Sequence, residues 1–373
     1  MTGRPGLRHI VVLAVLVTAF AMSAFLLSWS LTVSIGIQGT LLGLVISTVA
    51  IGIVLPLFLW VDRLEAEPAR IMWFAFLWGA LISTAGSLVV GGAARNMLLN
   101  VGVHPDYFLL VFEAPVVEEF FKGLGLLLIF TFAKREFNGV VDGIAYAGVI
   151  AIGFAYVEDI LYLGSNYQQL GQAGLVGTFV VRCLATPFAH PMFTVCIGIA
   201  FGLLAHRRRW IYFPVPILGY AAAVTIHSVW NASAALDIWF VLYLVIQVPL
   251  FLGFLAVVIF ARSLESRTMR ERLTEYGMNG WFTPSEVSML ISPNQRRQAR
   301  SWAKKQYGQA GSRAMRAFQD ESAELAIAAE HLHRGDRDPH WRERERVLLR
   351  SLVAHRKALV QGANSAATAA PAR

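Results

Sequence analysis

The chain has 373 residues, is 56% hydrophobic and carries a formal net charge of +8 at pH 7. Its mean hydropathy of +0.55 excludes a soluble domain of ordinary composition. Residues 1–261 hold 12 basic against 12 acidic side chains and residues 262–373 hold 20 against 12, so the excess charge belongs to a separate C-terminal segment.

Apolar runs long enough to cross a bilayer recur along residues 1–261 and predict an all-α, polytopic transmembrane helix bundle. About eight spans are expected, near 10–30, 40–61, 70–91, 108–132, 140–163, 177–205, 211–236 and 239–261. The first follows Arg4 and Arg8, and its apolar core from Ile10 to Leu27 is longer than a signal-peptide core, which favours an uncleaved anchor. The 177–205 stretch contains Arg182, Pro187 and Pro191 and is expected to tilt or kink. Cys183 and Cys196 lie in that span and read as small buried hydrophobes. Arg4/Arg8, Arg63/Arg70, Lys134/Arg135 and Arg207-Arg208-Arg209 fall on alternate loops together with the tail. By the positive-inside rule this predicts a multi-pass protein of the cell membrane with both termini cytoplasmic.

Apolar density collapses at Ala261-Arg262, which predicts a membrane domain over 1–261 and a small helical cytoplasmic tail over 262–373. Leu325, Ala328, Ala329 and Leu332, then Val347, Leu348, Leu352, Val353 and Leu359, recur at helical spacing. Gly335-Asp336 with Pro339 marks the turn between these two helices. His331 and His333 read as solvated histidines, and the Ala/Ser/Thr-rich end is expected to be unstructured from about residue 362. The tail's charge suits anionic lipid or a cytoplasmic partner. No nucleic-acid recognition motif accompanies it, so nucleic acid is not an expected partner.

Polar residues inside the spans carry the functional signal. Pro115-Val116-Val117-Glu118-Glu119-Phe120-Phe121-Lys122 places three charges in an apolar helix, and each charge at mid-bilayer depth costs a few kcal/mol. Such residues face a protein or water-filled interior. Glu118 and Glu119 lie four and three residues before Lys122, so the lysine can neutralise one carboxylate. On the expected topology Glu158 and Asp159, His190 near mid-span, and His227 with Asn231 reach the same outer half of the bilayer, which predicts one shared site. Arg182 is expected to snorkel to the outer headgroups. Paired carboxylates suit a general base, and His227 with Asn231 can offer donors to an oxyanion. Alternatively His190, His227 and a carboxylate have the ligand chemistry of a zinc site with one position left for water.

At these residues the chain resembles the PrsW family of intramembrane proteases, within the group that contains the type II CAAX prenyl endopeptidases. Four blocks in order carry the resemblance: Pro115-x-x-Glu118-Glu119-x-x-Lys122, Asp142-Gly143 leading to Gly153-Phe154-x-x-x-Glu158, His190 with its following Gly-rich helix, and His227-x-x-x-Asn231. The resemblance implies hydrolysis of peptide bonds in membrane-anchored proteins, as in family members that cut anti-sigma factors. Carried onto this sequence, Glu118 and Glu119 would activate water with Lys122 setting their charge. Glu158 would assist or bind metal with His190 and His227, and Asn231 would stabilise the oxyanion. The implied cofactor is Zn2+, with a metal-free glutamate mechanism as the alternative. Asp159 departs from the family, which often has Asn there. His-Glu-x-x-His is absent, which argues against a site-2 zinc protease.

Two other function classes compete on the same residues. A non-catalytic membrane scaffold would use the polar cluster for helix packing, and a proton- or ion-coupled transporter would use it as a relay. The transporter reading calls for inverted repeats, and the sequence shows no internal repeat.

Overall fold

A computed structural model describes residues 7–61, 67–205, 214–236, 238–336 and 338–368, with side chains described over 10–356 of these. Every element among the described residues is helical. The chain divides into two compact units, residues 1–60 with 67–258, and residues 61–66 with 259–373. Arg4, Arg63 and Arg207-Arg208-Arg209, on which the expected orientation rests, lie outside the described residues, as does the side chain of Arg8.

In the first unit α1 (Leu7–Val61) is 55 residues long, about 80 Å at the usual helical rise, far more than one hydrocarbon core requires. Gly36 interrupts it at φ 64°, ψ 172°, a left-handed backbone that glycine adopts without a Cβ penalty. The residues expected to form spans 10–30 and 40–61 lie on the two parts of this broken helix. α2 (Ala69–Leu77) and α3 (Thr84–Asn100) are joined by a π-helical turn, Trp78–Ser83. The short α4 (Asp106–Phe108) enters a second π turn, Leu109–Glu113, and then α5 (Ala114–Phe132). α6 (Val140–Thr178) runs well past the expected end at 163 and leads into a third π turn, Phe179–Ala185. α7 (Ala189–Leu204), α8 (Pro214–Ala235) and α9 (Trp239–Leu242) follow, and a fourth π turn, Tyr243–Gln247, opens α10 (Val248–Met278).

Among the described residues, four helical stretches are long and apolar enough to cross a bilayer: Ile10–Val61, Ala69–Asn100, Val140–Leu204 and Trp239–Met278. α5 and α8 fall outside these four, and they are the helices that carry Glu118, Glu119, Lys122, His227 and Asn231. The expected kink at 177–205 is a break: residues 186–188 leave the helix, with Pro187 at its centre and Pro191 in the first turn of α7, where a missing N–H costs nothing.

α6 organises this unit. Every residue from Val141 to Phe154 is buried, the mark of a helix covered on all sides. Small residues permit that cover. A Cβ on Gly143 would lie 2.1 Å from the Gly198 carbonyl oxygen, and one on Gly198 would lie 2.2 Å from that of Gly143. α6 and α7 thus meet backbone to backbone, as membrane helices do where small residues replace a hydrophobic driving force. α5 touches α6, α7 and α8, and α7 also packs on α6 and α8. These four helices frame the site.

The second unit is helical and has its own apolar core. α11 (Pro284–Ile291) begins with a reciprocal cap in which Glu286 N–H donates to Thr283 Oγ1 at 3.2 Å and Thr283 N–H donates to Glu286 Oε2 at 2.8 Å. α12 (Pro293–His333) and α13 (Pro339–Thr368) form the expected hairpin. Met269, Leu273, Phe282, Leu290, Phe318, Leu325, Leu348 and Leu352 pack together in the core. Val347 and Val353, expected on the apolar face, are exposed, and Leu359 lies outside the described side chains; the end expected to be unstructured from 362 is helical as far as Thr368. His331 differs from its expected solvated state. It is buried, its Nδ1 lies 3.0 Å from Asp336 Oδ2, and its ring stacks on Trp341 with centroids 3.8 Å apart.

Candidate active site

The helical spacing of α5 turns Glu118, Glu119 and Lys122 inward, and all three are buried. Lys122 Nζ donates to Glu119 Oε1 at 2.8 Å and to Glu118 Oε2 at 3.4 Å. The ammonium also lies 3.3 Å from His190 Nδ1 and 3.8 Å above the centre of the Phe154 ring, so α5, α6 and α7 all touch one cation. From α8, His227 Nδ1 lies 3.2 Å from Glu119 Oε1 and its Nε2 lies 3.9 Å from Glu118 Oε2. Phe193 stacks on the His227 ring with centroids 4.6 Å apart and fixes its plane. Glu119 Oε2 accepts from Thr194 Oγ1 at 2.8 Å. Glu119 is thereby fully enclosed and held from three sides, whereas Glu118 keeps a small exposed area.

α6 supplies Glu158 and Asp159. Glu158 Oε2 lies 2.7 Å from His190 Nε2 and also accepts from Arg182 Nη2, while Arg182 Nε donates to Asp159 Oδ1 at 2.6 Å. Arg182 therefore does not snorkel to headgroups. The π turn that carries it points it back at α6, where two adjacent carboxylates and the Tyr162 ring, 4.1 Å away, hold it. His190 stands at the second position of α7, just after the 186–188 break, and not in mid-helix.

Glu118, Glu119, Lys122, Glu158, His190 and His227 thus come together from four helices. Asn231 is engaged elsewhere: its Nδ2 donates to Leu110 O at 2.8 Å, tying α8 to the π turn ahead of α5. Asp142 is at the opposite end of α6, where its Oδ2 accepts from the Asn138 and Gly139 N–H groups and caps the helix. Thr194 was not among the expected site residues, although it lies four residues after His190 on the same helical face. Arg182 had been assigned to the surface because a charge near an expected span end has a cheaper option there.

Glu118, His190 and His227 each offer a ligand atom within 4.8 Å of the others, and they are the described residues so grouped. Two imidazoles and a carboxylate match zinc in type and in number for a catalytic site. The carboxylate expected in the set was Glu158, which here buttresses His190 and is engaged by Arg182. The charge balance points the same way. Glu118, Glu119, Glu158 and Asp159 face Lys122 and Arg182, which leaves two negative charges for two protons or one divalent cation to neutralise. Lys122 contacts two of the three donors, but its shortest bond goes to Glu119. The residues present fit the ion.

Residues 67–254, just over half of the chain, match the sequence profile of a family described as PrsW family intramembrane metalloprotease. The chain belongs to the PrsW family. It is 29% identical over 171 residues to a protein named Protease PrsW from Geobacillus kaustophilus, a match covering 42% of this chain and 66% of that relative. A second Protease PrsW, from Halalkalibacterium halodurans, is 31% identical over 139 residues, covering 36% of this chain and 57% of its own length. A third, from Clostridioides difficile, is 27% identical over 199 residues, covering 50% and 77%. The chain therefore spans 66% and 57% of the lengths of the first two relatives, less than two thirds of each. No solved structure matches it significantly. All the residues gathered at the site lie inside the region that the PrsW profile matches.

Proposed function

We propose that this chain is a membrane-embedded endopeptidase that hydrolyses peptide bonds of membrane-anchored proteins, regulatory anti-sigma-factor-like substrates among them. The observation that supports this most directly is the buried convergence of Glu118, Glu119, Lys122, Glu158, His190 and His227 from four helices. A packing network would have been cheaper without so many charges, because replacing buried ion pairs by apolar side chains is often neutral or stabilising.

Glu118 is the reacting carboxylate in this proposal. It alone of the α5 pair retains exposure, and it faces the Nε2 edge of His227. It takes a proton from the attacking water and returns it to the leaving amine. Glu119 does not react. Held by Lys122, Thr194 and His227, it accepts the Nδ1–H of His227 and orients the ring so that Nε2 faces the scissile carbonyl, where the doubly protonated imidazolium form donates to the developing oxyanion. Lys122 keeps the two neighbouring carboxylates compatible in a low dielectric. Asn231 contributes by fixing α8 against the 109–113 turn. Zinc would be held by Glu118, His190 and His227 and would supply Lewis-acid polarisation at the same point; the base and donor roles given above to Glu118 and His227 belong to the metal-free form.

The proposed topology has eight spans with both termini cytoplasmic, a membrane domain over 1–261 and a basic tail over 262–373. The length of the broken α1 supports two spans there, and Lys134 and Arg135 between α5 and α6 support the orientation. The tail contacts anionic lipid or a cytoplasmic partner.

The test is a survey of membrane-protein N-termini in cells expressing the wild type or Glu118→Gln at equal levels. New N-termini found only with the wild type are expected. Identical profiles under several stresses would overturn the peptidase reading in favour of a scaffold. Adding a zinc chelator to wild-type membranes then separates the metal-dependent from the metal-free form.

A further inference from the structure

We propose that Arg182 is a positioning residue of the active site, which fixes the Glu158 carboxylate so that His190 carries its ring proton on Nε2 and presents an unprotonated Nδ1 to the site. One oxygen is the hinge of the argument. Glu158 Oε2 receives both Arg182 Nη2 and His190 Nε2, the latter at 2.7 Å. Where Arg182 holds that oxygen decides which ring nitrogen of His190 has an acceptor beside it. On the far edge of the ring, Nδ1 lies 3.3 Å from Lys122 Nζ, which has only hydrogens to give. An acceptor at Nε2 and a donor at Nδ1 select the same tautomer from both sides.

The geometry requires an arginine. Glu158 and Asp159 are neighbours on one helix and point about 100° apart. Arg182 meets both at once, through Nη2 and through Nε at 2.6 Å to Asp159, which a planar guanidinium fork can do and a lysine ammonium cannot do in the same way. The Tyr162 ring, 4.1 Å from the guanidinium carbon, limits its swing. Arg182 lies on the Phe179–Ala185 π turn, seven residues before the start of α7, so the clamp also fixes the approach to His190 from α6. It touches no group proposed to react and acts through Glu158.

The tautomer stands without the peptidase reading; only the effect on turnover rests on it. The experiment uses full-length protein in detergent, labelled with 15N-histidine, with the His190 signals assigned by their loss in His190→Gln. The wild type is expected to show His190 as one tautomer, protonated at Nε2. Arg182→Gln is expected to show both tautomers, Arg182→Lys an intermediate mixture, and Asp159→Asn the wild-type spectrum. Cleavage at the sites found in the N-terminus survey should fall about 10- to 100-fold in Arg182→Gln, the range seen when residues that orient a functional histidine are lost. If Arg182→Gln does not fold, Arg182→Gln/Asp159→Asn, which removes one of the two orphaned charges, replaces it. A wild-type His190 protonated at Nδ1, or unchanged spectra in the Arg182 variants, would overturn the proposal. A wild type that yields no new N-termini overturns the peptidase reading and leaves the tautomer result standing.

Discussion

Replacing Lys122 by methionine keeps an unbranched side chain, one atom shorter, and removes its charge. In the native protein that ammonium is wholly buried, donates to Glu119 at 2.8 Å and Glu118 at 3.4 Å, and lies over the Phe154 ring at 3.8 Å. Without it Glu119 loses its ammonium partner, while His227 and Thr194 still contact it. Removing one member of a buried ion pair costs about 3–5 kcal/mol, because the remaining charge has no compensation. For a folding unit of this size each kcal/mol moves Tm by about 2–4 °C, so Lys122→Met should melt roughly 6–20 °C below the wild type. Lys122→Met/Glu119→Gln removes the orphaned charge as well and should recover more than half of the loss, a non-additivity expected only of partners in contact. Melting of the full chain in detergent, followed by size-exclusion chromatography, reads both. A single-variant shift below about 2 °C would refute the reasoning, since it would mean that Glu118 and Glu119 do not depend on Lys122 for their charge.

Three further outcomes follow from other contacts. Thr194→Val removes the hydroxyl that donates to Glu119 Oε2 at 2.8 Å, and should cost about 2 kcal/mol in the same melting assay and slow cleavage. Gly198→Ala puts a Cβ 2.2 Å from the Gly143 carbonyl oxygen, so α6 and α7 must separate; a destabilisation of at least about 2 kcal/mol is expected, and a neutral result would contradict the close approach. In the C-terminal unit, burial pushes the His331 imidazole below its ordinary range. The unfolded chain then binds the proton more readily than the folded one, so the contribution is complete above the ordinary histidine range and is lost as pH falls through it. Protection factors over 325–350, which correct for the pH dependence of intrinsic amide exchange, should fall on acidification across that window, and His331→Gln should flatten the response.

The chemistry of the site was more legible in the sequence than its architecture. A carboxylate or histidine in an apolar helix is costly, so Glu118, Glu119, Glu158, His190 and His227 stand out without any structure. Thr194 does not, since a hydroxyl can satisfy itself on its own helix and adds little cost there. Arg182 was visible but misplaced, because a snorkelling arginine and a clamped one have the same sequence signature. The π turns at 78–83, 109–113, 179–185 and 243–247 have no periodic signal, yet each shifts the phase of the helix that follows. The same limit hid the first half of α12, whose polar surface gives a weak apolar stripe.

The contact between Glu119 and His227 joins residues 108 positions apart. At ribosomal rates of about 5–20 residues per second, roughly 5–20 s pass between synthesis of the acidic pair and synthesis of the histidine that completes the cluster. During that interval the nascent chain holds its carboxylates without the histidine that contacts Glu119. On the proposed mechanism the cluster has no His227 to complete it while residues 119–227 are being made, so activity would begin only after that stretch has been threaded into the membrane.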